Sequence, residues 1–99
     1  MMRVPKIIEK DGIIDEAKYS DVVRISHTYT SFILDFGYFI PPREGEEPKI
    51  YIHTRIYMSP QHAKLLLKAL QDNIRKYEQK VGEIRLPEKR EERPSTIIM

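Results

Sequence analysis

The chain has 99 residues, with 17 basic and 15 acidic side chains, a net charge of +2 and no cysteine. That length suits one domain, and the missing thiols exclude disulfides, thiolate metal sites and a cysteine nucleophile. Residues 1–50 carry 7 basic and 9 acidic groups, residues 51–99 carry 10 and 6, a mild asymmetry far below the basic bias of a dedicated nucleic-acid binder.

No apolar run approaches the ~20 residues of a membrane span, and none near the start is long enough for a signal peptide. With no thiols to oxidise, the expectation is a soluble, cytoplasmic protein with no membrane partner. Abundant Lys, Arg, Glu and Ile is also the compositional bias of heat-loving organisms.

Near the start, Asp11-Gly12 lies between Lys6-Ile7-Ile8-Glu9 and Ile13-Ile14-Asp15-Glu16. Asp-Gly between apolar pairs is a hairpin signal, because a type I′ turn needs positive φ at both centre residues. Pro5 confines any first strand to an edge or to the residues after it. Residues 1–18 are therefore either a hairpin or a loosely held arm.

Three alternating segments follow. Asp21 to His27 places Val23, Ile25 and His27 on one side and Val22, Arg24 and Ser26 on the other. After the turn Thr28-Tyr29-Thr30, Ser31 to Ile40 puts Phe32, Leu34, Phe36, Tyr38 and Ile40 on one face. Ile33, Asp35, Gly37 and Phe39 take the other. The proline- and glutamate-rich stretch 41–48 reads as a solvated loop. Lys49 to Met58 then alternates, with Ile50, Ile52, Thr54, Ile56 and Met58 opposite Tyr51, His53, Arg55 and Tyr57. The short turn Thr28-Tyr29-Thr30 implies antiparallel pairing.

Ser59-Pro60-Gln61-His62 is a helix start, with Ser59 as N-cap and Pro60 where no hydrogen bond is lost. From there Ala63, Leu67, Leu70, Ile74, Tyr77 and Val81 recur at alternating steps of four and three. This is one apolar stripe close to the spacing of a coiled-coil seam. Gly82 suits the C-terminal end, for a helix of about 22 residues or roughly 33 Å. Leu65 lies off the stripe beside Ala69, either as an ordinary exposed leucine or as a contact to a second subunit. Beyond the helix, Pro87 to Pro94 mixes charges like a solvated tail, and Thr96-Ile97-Ile98-Met99 either frays or docks on an edge strand.

The blocks Tyr19-Ser20-Asp21, Ser26-His27, Phe32-Ile33-Leu34-Asp35-Phe36, Met58-Ser59-Pro60-Gln61-His62-Ala63-Lys64 and Ala69-Leu70-Gln71-Asp72-Asn73-Ile74-Arg75-Lys76-Tyr77-Glu78 together resemble a small prokaryotic family, domain of unknown function 3467. The resemblance covers about residues 19–84, in order and at similar spacing. It implies that these residues form one unit, and it implies no activity, cofactor or catalytic residue.

The fold expected is α+β: an antiparallel three- to four-stranded meander with one long C-terminal helix packed on one face. Residues 1–18 are an arm or hairpin, 19–84 the domain and 85–99 a charged tail. One helix covers one face of a sheet, so the other is solvated, paired with a second subunit or used for a ligand. Asp35, Tyr51, His53, Arg55 and Tyr57 are assigned to that second face, with Arg24 and Ser26 beside them. Tyrosines among charges suit an interface, whereas Asp35 opposite Arg55 also reads as an ordinary cross-strand pair. His53 with Asp35 is a conceivable acid–base pair. The three histidines have no ligand spacing, so no metal is expected. With no phosphate-cradling glycine loop and no nucleophile elbow, no cofactor or catalytic residue is assigned.

The function expected is that of a self-associating interaction or scaffold module, a homodimer without catalytic activity, with Arg24, Asp35, Tyr51, His53, Arg55, Tyr57 and Leu65 as interface candidates. A protein partner fits the same surfaces. The alternative is a nucleic-acid-associated protein that stacks bases on the Tyr51/His53/Arg55/Tyr57 strand face.

Overall fold

The computed structural model describes residues 4–13, 15–87 and 96–98. Its elements are β1 (Val22–His27), β2 (Phe32–Ile40), β3 (Lys49–Met58), α1 (Pro60–Lys80) and β4 (Thr96–Ile98). The first three strands form the antiparallel meander, the long helix follows directly, and the class is α+β. The sheet order is β3-β2-β1-β4. The fourth strand comes from the C-terminal end and pairs antiparallel with Val22 to Arg24. Among the described residues no strand precedes β1. Asp11-Gly12 does make a turn, with Gly12 at φ 79° and Ile13 N donating to the Lys10 carbonyl at 3.1 Å, but the segments around it form no ladder.

Local chemistry sets the strand ends. At the β1–β2 turn the Thr28 hydroxyl accepts from the backbone N–H groups of Thr30 and Ser31, at 3.3 and 3.1 Å. Thr28 N closes the turn onto the Ser31 carbonyl at 2.8 Å, as short hydroxyl side chains do at turns. At the other end of the pair, β1 stops before it can serve Phe39. The Asp21 carboxylate accepts from Phe39 N instead, at 3.0 Å, which extends the ladder by a side chain.

The pairing of β2 with β3 contains one irregularity that reorganises the sheet. Phe36 pairs with Thr54, yet Gly37 pairs with Ile52, leaving His53 as an extra residue in β3. This is a β-bulge. Gly37 is required there by space: a Cβ would sit 2.0 Å from the Tyr51 carbonyl oxygen. Side chains of β3 therefore change sides at His53. Thr54, Ile56 and Met58 share the apolar face with Phe36, Leu34 and Phe32, whereas Ile50 and Ile52 lie on the opposite face with Phe39 and Gly37. The uninterrupted alternation expected for β3 is thus corrected.

The second correction concerns the helix. Ser59 is its N-cap, with φ −67° and ψ 156°, and its hydroxyl accepts from His62 N at 3.1 Å. Gly82 follows the helix at φ 139°. The rod is as expected, but it is not packed on a face of the sheet. No helical residue is buried, and beyond the junction α1 makes no extended contact with any strand. Leu67 and Leu70, at the middle of the stripe, are 57% and 54% exposed. The physical reason is the connection. A single residue, Ser59, separates strand from helix, and a rod launched that abruptly does not double back. Val22 is in consequence the one buried hydrophobic residue among those described.

Candidate functional site

The bulge divides the interface candidates between two surfaces. On one, Arg24 of β1, Asp35 of β2 and Arg55 of β3 stand side by side in register. Asp35 is 2% exposed and bonded from both flanks. Arg24 donates from Nε and Nη2 to Oδ2 at 3.1 and 2.7 Å. Arg55 donates from Nε to Oδ1 at 2.7 Å and from Nη2 to Oδ2 at 3.1 Å. A buried carboxylate is costly unless paired; here two guanidiniums satisfy it, Arg55 as a fork across both oxygens and Arg24 with two donors on Oδ2. The hydrogen bonds from Arg55 and then Arg24 outweigh desolvation and hold the Asp35 pKa at about 2, below its usual 3.8. The same contact raises Arg55, and Tyr57 beside it adds to that effect. Both arginines remain about half exposed. The triad carries one net positive charge, and its face can meet an acidic or hydrogen-bond-accepting surface.

On the other surface Tyr51 and His53 join Tyr38. Ring centroids lie 5.4 Å apart for Tyr38 and Tyr51, 6.0 Å for Tyr38 and His53, and 6.5 Å for Tyr51 and His53. His53 is fixed at both nitrogens. Nε2 lies 2.8 Å from the Tyr19 carbonyl and Nδ1 lies 2.8 Å from the Thr54 hydroxyl. A carbonyl accepts only, so Nε2 carries the proton, and in the neutral ring Nδ1 accepts from Thr54. His53 thereby ties the segment that leads into β1 to the sheet at Tyr19. With Lys18 and Tyr19 the three rings line an open recess of about 280 Å³.

Asp35 and His53 are consequently not an acid–base pair, since each is committed to other partners on opposite sides of the sheet. Nor do Tyr51, His53, Arg55 and Tyr57 form one strand face: Arg55 and Tyr57 stay with Asp35, while Tyr51 and His53 go to Tyr38. Leu65 is 63% exposed on the helix. Sequence reasoning assigned Tyr38 to the helix-covered face and did not single out Lys18 or Tyr19. The available signal was Gly37, since a glycine inside a strand pattern marks a bulge or a close backbone approach. Among the described residues no three His, Asp or Glu side chains gather closely enough for a metal ion, and no helix is long and apolar enough to cross a membrane.

Alongside the triad and the aromatic cluster lies a third feature, an apolar surface. Val23, Ile25, Phe32, Leu34 and Phe36 lie on the side of the sheet shared by Thr54, Ile56 and Met58. None of them is buried.

A family model described as a protein of unknown function, DUF3467, matches residues 6–86. No curated protein and no solved structure matches the chain.

Proposed function

The chain belongs to the DUF3467 family, whose description brings no activity with it, and we propose from its physical chemistry that it is a small self-associating interaction module, a homodimer acting as a scaffold component rather than an enzyme. The observation that carries this reading is that the described residues of the single chain bury only one hydrophobic side chain, Val22. A compact monomer of 11.8 kDa exposes about 5,900 Å² by the usual size scaling, whereas this chain exposes 9874 Å². Its radius of gyration is 17.0 Å, against about 12.6 Å for a compact domain of this length. Part of the excess belongs to the exposed N-terminal arm. The rest includes the helical stripe and the apolar side of the sheet, and obligate homodimers bury surfaces of that size and character. The Arg24–Asp35–Arg55 face remains outside that association and is a second surface for a protein partner.

The nucleic-acid alternative loses its continuous strand face to the bulge, and no other feature favours it over self-association. Sedimentation velocity from low to high micromolar concentration tests the main reading. A particle of twice the chain mass is expected. A particle of one chain mass throughout the range refutes it.

A further inference from the structure

Building on the self-association proposed above, we infer that two copies exchange helices: the α1 stripe of each chain lies across the apolar side of the other chain's β1–β2–β3 sheet.

Three observations lead there. The first is the junction. Met58 still pairs with Phe32, and Pro60 is already helical. Pro60 fixes its own φ and confines Ser59 to extended backbone. Ser59 is further held by its cap and by Ala63 N donating to its carbonyl at 3.0 Å. Strand-to-helix loops that let a helix turn back usually have about 2–6 residues. With one stiff residue, α1 leaves its own sheet, and reversing it would cost both the cap and the end of the ladder.

The second observation is that each chain has two unpartnered apolar surfaces of different shape. The rod bears Leu67, Leu70, Ile74 and Tyr77, all at least 40% exposed. The sheet bears Ile25, Phe32, Leu34 and Phe36, with Ile56 open at the side. Among the described residues neither surface has an occupant within its own chain.

The third is that the two surfaces match in size. The helix has 21 residues, or about 31 Å at 1.5 Å per residue. The central strand has 9 residues, or about 30 Å at 3.4 Å each. Three strands spaced about 4.8 Å apart are roughly as wide as one helix with its side chains. One sheet face therefore seats one rod.

A two-fold axis then closes all four surfaces at once, because helix on sheet implies sheet on helix in the symmetric copy. Helix-on-helix pairing, which the stripe's spacing would also permit, covers the rods and leaves both sheets open. Exchange covers everything with one operator, so it is the arrangement that removes the most apolar surface from water.

The natural absence of cysteine makes the test direct. Chains bearing Leu34→Cys at the middle of the sheet face are unfolded and refolded together with chains bearing Leu70→Cys at the middle of the stripe. One chain carries a short tag so that the products separate by mass. Mild oxidation is expected to give the mixed disulfide well above the statistical share of random pairing. Thr54→Cys, close in size to the native side chain, replaces Leu34→Cys if that chain folds poorly. Predominance of the Leu70→Cys homodisulfide would mean helix on helix, overturning exchange and leaving self-association intact. A dimer by sedimentation with no mixed disulfide overturns exchange in the same way. An intrachain disulfide at single-chain mass, in the double variant, would mean that the helix folds back, and both readings would fall.

Discussion

The Arg24–Asp35–Arg55 bridge makes a quantitative prediction. Asp35 titrates at about 2 in the folded chain instead of 3.8. A carboxylate with a depressed folded pKa contributes stability that is complete above the unfolded value. It is lost as pH falls through the folded value. A shift of this size corresponds to at most about 2.4 kcal/mol. Both guanidiniums are about half exposed, and solvent screening reduces the contribution to about 1–2 kcal/mol. Asp35→Asn keeps the shape and one acceptor oxygen but turns an amide NH2 toward guanidinium donors. It is expected to cost about 1–3 kcal/mol at pH 7. The assay is urea unfolding followed by circular dichroism, at one protein concentration, in steps from pH 7 to pH 2. The gap between the native chain and the variant should hold down to about pH 5, narrow between 3.8 and 2, and be mostly gone at pH 2. Asp72, whose pKa Arg75 and Lys76 lower, titrates in both proteins and cancels in the difference. Parallel curves over the whole range would refute the claim that the bridge stabilises the fold through its charge.

Three further outcomes concern the bulge, the helix cap and the apolar stripe. Gly37→Ala places a Cβ 2.0 Å from the Tyr51 carbonyl, so the bulge must shift, costing about 2–4 kcal/mol and lowering the melting temperature by about 10 °C or more; an unchanged melting curve would mean that the strands are not held that closely. Ser59→Ala removes the acceptor for His62 N and should cost about 1 kcal/mol in denaturant melts. Leu67→Ala should cost about 2–5 kcal/mol if the stripe is buried between chains, with a loss that depends on protein concentration, whereas Leu65→Ala, off the stripe, should change little; equal small effects for both would place the stripe in water.

How legible the fold was depended on whether the cause was local. Alternation and proline punctuation located β1 to β3, and Ser59-Pro60 located the start of α1, because strand pleat and helix cap are decided within a few residues. The pairing of Asp35 with Arg55 was legible for the same reason, as two residues of opposite charge at opposed strand positions. Arg24 was placed on the correct face, but its share in the carboxylate was not foreseen, since that depends on the register of a third strand. The slip at His53 arises from the approach of Gly37 to the backbone of β3, a contact between distant parts of the chain to which alternation is blind. The apolar stripe of α1 was legible as one face of the helix, and that face lies exposed rather than on the chain's own sheet. Its packing on the sheet was not legible, since amphipathic spacing specifies a face without specifying what it meets.

The extra residue at His53 also has a meaning for anyone editing this chain. It acts as a half-step in the pleat, so the outer half of β3 is phased against the inner half. Deleting that one residue would leave Thr54 opposite Phe36, Ile52 opposite Gly37 and Tyr51 opposite Tyr38, so the ladder would run on regularly, every other side chain would keep its face, and only the contacts of His53 would be lost. A one-residue deletion elsewhere in β3 would instead move side chains to the opposite face, so any graft onto β3 must be numbered from Gly37 rather than from the strand's ends.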